Sequence, residues 1–95
     1  MQDEILARLE KLIDMANILV GDHPTDARLK LMLINLEEVK SEISKPELKK
    51  DKLRQLSFGV TRIFTEMLDY EITPFGEELK KFLIEFHDFY ETVSN

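Results

Sequence analysis

The stretch Ile72–Val93, ITPFGEELKKFLIEFHDFYETV, decides the fold. It opens on Thr73-Pro74. Thr73 can cap a helix whose first position is Pro74, because proline lacks only an N–H that would have no intrahelical partner there. Phe75, Leu79, Phe82, Phe86, Tyr90 and Val93 then recur at steps of three and four, which puts them on one stripe of a helix. Leu83 and Phe89 flank that stripe, and Ile84 falls off it. The spacing predicts a helix over 74–93 that supplies much of the chain's bulky core.

The preceding segment reads as a helix over 45–70. Ser44-Lys45-Pro46-Glu47 has the form of a capping box with proline in the first turn. Leu53, Leu56, Val60, Ile63, Met67 and Tyr70 make its stripe, widened by Phe64 and Leu68. Gly59 lies in its middle, where it costs about 1 kcal/mol relative to alanine and marks a bend or a close helix–helix contact. A helix over 26–43 carries Leu29, Met32, Leu36, Val39 and Ile43 in a bundle-like pattern, with Asp22 or Thr25 as its cap. Leu31 and Ile34 lie off that stripe; two flanking helices cover them, they are simply isolated exposed apolar residues, or they form a partner or dimer patch. The first helix covers 3–20, capped by Asp3 and stopped by Gly21, with Ile5, Leu9, Leu12, Ala16 and Leu19 in its stripe. Connections of a few residues favour antiparallel neighbours. The expected fold is all-α: a single-domain, antiparallel, up-down-up-down four-helix bundle.

Composition narrows the function classes. The 95 residues carry a net charge of −6, which argues against nucleic-acid binding, since that needs a basic footprint. There is no cysteine, so thiolate metal sites and cysteine nucleophiles are excluded. No apolar run reaches the roughly 18 residues needed to cross a bilayer. MQDEILARLEKL has neither the basic start nor the apolar run of a secretory signal, which suits a cytoplasmic protein.

No nucleophile motif and no phosphate-binding glycine loop is present, and no cofactor is expected. Glu37-Glu38-x-x-x-Glu42 followed by Glu66-x-x-Asp69 resembles the MazG-type nucleotide pyrophosphohydrolases, whose clustered acids hold magnesium against a triphosphate. On a helical wheel, however, Glu38, Glu42, Glu66 and Asp69 point away from the apolar stripes of their helices. His23 reads as a turn residue, and His87 as the edge of the last helix with Glu91 one turn on. Neither has a third ligand at sensible spacing, so no metal site is expected. Lys45, Lys49, Lys50, Lys52 and Arg54 make the start of the third helix basic, with Glu47 and Asp51 interleaved. Such a stretch is either a solvated helical surface or a docking patch.

From about Leu53 to Leu83 the order of features resembles the immunity proteins of pediocin-like bacteriocins, the enterocin A immunity type in particular. An apolar helix carries Phe64-Thr65, a short polar break follows, and then come Ile72-Thr73-x-Phe75-x-Glu77-Glu78-Leu79 and Leu83. The resemblance implies a cytosolic, non-enzymatic four-helix bundle acting at the inner side of the bacteriocin receptor, the membrane part of a mannose phosphotransferase permease. It also implies that specificity resides largely in Ile72–Asn95. The expected partner is thus a protein. The expected contact residues are Ile84, His87 and Asp88 on the last helix, Lys49, Lys50 and Lys52 on the third, and Leu31 and Ile34 on the second, where a homodimer is the other expectation. A small acidic regulatory protein that binds a basic surface by charge is the remaining alternative.

Overall fold

Stripes of apolar residues at helical spacing bring four helices together. The computed structural model describes residues 2–94. Helix α1 spans Gln2–Asp22, α2 Ala27–Ile43, α3 Lys50–Thr65 and α4 Pro74–Glu91. A single 3-10 turn, Leu68–Tyr70, lies between α3 and α4. α1 and α3 each pack against both α2 and α4. Two long-range bonds show the directions. At one end of the bundle Gln2 Nε2 donates to the carbonyl of Ile43 at 2.7 Å. At the other Arg28 Nη1 donates to the carbonyl of Glu66 at 2.8 Å. The expected antiparallel bundle is therefore the observed one.

The core follows the stripes. All five predicted positions of α2 are fully buried, and α4 buries Phe75, Leu79, Phe82, Phe86, Phe89 and Tyr90. Phe82 and Phe86 stack with centroids 5.3 Å apart, and Tyr90 meets Phe86 edge-on at 5.4 Å. Burying a large apolar side chain contributes about 1.5–3 kcal/mol, and an aromatic pair adds to that through ring geometry. The last helix is thus the main supplier of bulk to the core.

The boundaries differ from expectation mostly around α3. It begins at Lys50, with Lys49 as a cap that makes no side-chain hydrogen bond. The Ser44–Glu47 capping box does not form. Ser44 instead closes α2, its hydroxyl donating to the carbonyl of Lys40 at 2.7 Å. Proline is the reason: Lys45 would be the first helical residue, and the ring of Pro46 disfavours helical geometry in the residue before it. At its other end α3 stops at Thr65, not near Tyr70. Met67 leaves the helix at φ −118°, ψ 35°, yet its side chain is fully buried and closes the core. The 3-10 turn then shifts the phase, so Leu68, expected on the apolar face, is 60% exposed. α1 runs through Gly21 to Asp22, Asp3 sits in its first turn, and Asp26 is the cap of α2.

Two glycines set close approaches. α3 is continuous through Gly59, and a Cβ there would stand 3.3 Å from Asn35 Oδ1 on α2, so the residue marks a close contact and no break. Gly76, in the first turn of α4, is tighter. A Cβ there would overlap the carbonyl oxygen of Tyr70 and lie 2.6 Å from that of Glu71.

Candidate functional site

The outer face of α4 is the best-defined candidate surface. Its apolar stripe is spent on the core, so the helix pose is rigidly determined. Opposite that stripe Ile84 is 67% exposed. His87 and Asp88 are exposed beside it, with His87 Nδ1 3.6 Å from an Asp88 carboxylate oxygen. The His87 ring meets Tyr90 edge-on at 5.3 Å, which orients it along the helix surface.

The basic start of α3 adjoins this face. Lys50 Nζ donates to the carbonyl of Glu91 at 3.2 Å, and Arg54 reaches the Glu91 carboxylate at 3.4 Å. Glu91 lies one turn beyond His87, so α3 and α4 share one surface here. Lys49 is exposed at the cap. Lys52 turns the other way, toward Glu38 on α2 at 3.7 Å. Much of the positive charge is answered locally, since Lys45 pairs with Glu42 at 2.9 Å and Arg54 also with Asp51 at 3.4 Å.

Leu31 and Ile34 do not join that surface. Both are exposed on α2, at 47% and 64%, so neighbouring helices do not cover them. α2 stands diagonally across from α4. Ile18, Ile34, Phe58 and Ile84 are likewise exposed apolar residues, outside the core stripe of their helices. They lie one on each of the four helices, and singly exposed apolar residues are ordinary on a protein surface.

The acids of the second and third helices are separated. Glu38 faces Lys52, Glu42 faces Lys45 and Asp69 faces Arg28. Among the described residues, no group of three or more His, Asp or Glu side chains is placed to hold a metal ion.

Sequence reasoning missed the strongest polar cluster, which is built on Arg28. Its guanidinium takes Asp26 at 2.9 Å, Asp69 through paired contacts at 2.9 and 3.0 Å, and the carbonyl of Glu66. The hydrogen bond from Arg28 pulls the Asp26 carboxyl down to about 2, and the same guanidinium lowers Asp69. Those two carboxylates in turn hold the Arg28 proton more tightly. Tyr70 lies under Arg28 with 5.8 Å from the guanidinium carbon to the ring centroid, and His23 meets the Tyr70 ring edge-on at 6.4 Å. Burial first, then the nearby Asp26 charge, raises the Tyr70 phenol. This cluster ties the α1–α2 turn to the α3–α4 connection. Asp26-x-Arg28 at a cap is its one local signal; Asp69 lies 41 residues away and nothing in the sequence points to it.

A second cluster spans α1 and α4. Arg8 contacts Glu78 at 3.0 Å and Glu85 at 2.6 Å, and Lys11 reaches Glu78 at 3.3 Å. The hydrogen bond from Lys11, with Lys81 and Arg8 nearby, holds the Glu78 carboxyl below its ordinary value. In comparisons with known proteins, no family model, no curated protein and no solved structure matches the chain.

Proposed function

We propose that this protein is a non-enzymatic binding module, and most specifically an immunity protein of the pediocin-like bacteriocin kind. The observation that carries the reading is the division of α4. Its stripe from Phe75 to Tyr90 is buried, while Ile84, His87 and Asp88 stand exposed on the opposite side of the same rigid helix. The partner in this reading is the cytosolic side of a membrane-embedded sugar permease, contacted by that face of α4 and by Lys49 and Lys50 at the adjoining start of α3. Lys52, Leu31 and Ile34 lie outside the contact, because they face or belong to α2. Action is by occupancy: binding stabilises one state of the receptor, with no bond made or broken. Among the described residues no helix is long and apolar enough to cross a membrane.

The test is survival of a sensitive strain that expresses the chain, challenged with a panel of pediocin-like bacteriocins. Selective protection against one or two members is the expected result. No protection by a chain shown to be folded and expressed would sink the reading. Two substitutions separate contact from scaffold. Ile84→Glu should keep the melting temperature and lose protection. Phe86→Ala should cost about 3–5 kcal/mol of stability and lose protection only through unfolding.

A further inference from the structure

The net charge of the protein is carried by half of the bundle. Of the 19 acids and 13 bases in the chain, α1 and α4 hold ten and four. The remainder holds nine of each, so the whole excess of −6 lies on two adjacent antiparallel helices. Between them, near the end where α4 begins, is an apolar groove of about 230 Å³ lined by Met15, Ile18, Leu19, Thr73, Pro74 and Phe75. Ile18 is 66% exposed at its edge, and Ile72, 88% exposed, precedes the groove residue Thr73.

Acids neighbour the groove residues along the chain. Asp14 and Asp22 lie one turn either side of Ile18 on α1. Glu71 precedes Ile72. Asp14, Asp22 and Glu71 make no ion pair among the described residues; of the four cations on α1 and α4, Arg8 and Lys11 are taken by Glu78 and Glu85, Lys80 by Glu77, and Lys81 lies near Glu78, all further along.

We propose that the α1–α4 groove docks a cationic amphipathic segment of a partner protein, an apolar side chain seated among Met15, Ile18, Leu19 and Phe75 and flanking lysines or arginines on Asp14, Asp22 and Glu71. Charge complementarity selects this occupant. An anionic lipid surface is repelled by these acids, and so is the same face of a second copy. The groove lies apart from the Ile84 and His87 face, and the proposal holds or fails independently of the immunity reading.

The probe is a fluorescently labelled amphipathic helical peptide of leucine and lysine, titrated with the purified full chain; oligolysine is the control. The peptide should saturate one site, weaken as salt is raised, and bind much more tightly than oligolysine. In amide NMR spectra its shifts should concentrate on Met15, Ile18, Leu19, Thr73 and Phe75. Ile18→Asn and the pair Asp14→Asn with Asp22→Asn should each weaken binding at least about tenfold. Phe58→Asn, an equally exposed change on α3, should leave it unchanged. All these sites are exposed, so the variants fold. Several outcomes overturn the proposal: equal binding of oligolysine, equal loss in Phe58→Asn and Ile18→Asn, or shifts spread over the whole surface. So do binding to anionic phospholipid vesicles that Ile18→Asn abolishes, and self-association of the free chain that Ile18→Asn abolishes.

Discussion

The two connections that flank α3 look alike on paper and behave differently. Ser44-Lys45-Pro46-Glu47 and Thr73-Pro74-Phe75-Gly76-Glu77 each offer a hydroxyl cap, a proline and a glutamate. Only the second starts a helix where the motif says. Thr73 sits at φ −83°, ψ 163°, and its hydroxyl accepts from the N–H of Gly76 at 3.2 Å. The difference is one residue in the place of proline. At the cap the residue before proline is extended, which proline favours; at the first helical position it would have to be helical, which proline opposes.

The contrast extends to how each connection is held. The Glu66–Thr73 segment is fastened several times over: by Arg28, by the Thr73 cap, by the close approach of Gly76 to the Tyr70 and Glu71 carbonyls, and by His23 on Tyr70. The Ser44–Lys49 segment is mostly exposed, with Leu48 partly buried against the core; the long-range bonds beside it are those of Gln2 to Ile43 and of Lys50 to Glu91. Tight fastening of one end fits its position beside the apolar groove, because Thr73, Pro74 and Phe75 are groove walls.

The largest expected effect lies in the tight connection. Gly76→Ala should cost about 3 kcal/mol, because its Cβ meets backbone and no side chain can swing away. A urea midpoint equal to wild type would show that the contact relaxes freely and would dissolve the contrast. Thr73→Ala should cost about 1 kcal/mol through loss of the cap bond.

Arg28→Met should cost less at neutral pH than Thr73→Ala, since the pairs are open to water and screened. Its pH dependence sharpens the point. Asp26 is drawn below its ordinary 3.8 to about 2, and Asp69 is lowered too. Depressed carboxyl values mean that the stabilisation is present above about pH 4 and is lost as pH falls toward 2. Wild type should therefore lose more stability than Arg28→Met between neutral pH and about pH 3. Parallel pH curves for the two proteins would remove Arg28 as the fastener.

The smallest effect belongs to the loose connection. Ser44→Ala should change stability by less than about 0.5 kcal/mol, because the hydroxyl serves an exposed carbonyl at a helix end. A loss as large as that of Thr73→Ala would mean that the two connections are equivalent after all.

Local chemistry accounts for what was readable in advance. Apolar residues at steps of three and four identify four helices and nearly all of the core, because helical period alone decides which side chains share a face. Thr73-Pro74 places the start of α4 correctly for the same reason: a cap is settled within four residues. Ile84, His87 and Asp88 were legible as an exposed group, being out of phase with the stripe. Leu68 was not, because its phase depends on where α3 ends, and that end is held by Arg28 from another helix. Gly76 passed unnoticed because its reason for being glycine is the backbone of Tyr70 and Glu71, folded back against it.

The sequence by itself determined the class of fold, the buried stripes and the exposed face of α4, all of which follow from periodicity and capping along one helix. Tertiary structure decided which surfaces adjoin. It set Lys50 and Arg54 beside Glu91, kept Leu31 and Ile34 away from α4, and paired Glu38, Glu42 and Asp69 with three different cations. It also put the two most acidic helices side by side around an apolar groove. Adjacency of this kind depends on how helices are ordered in space, and no spacing within a single helix encodes it.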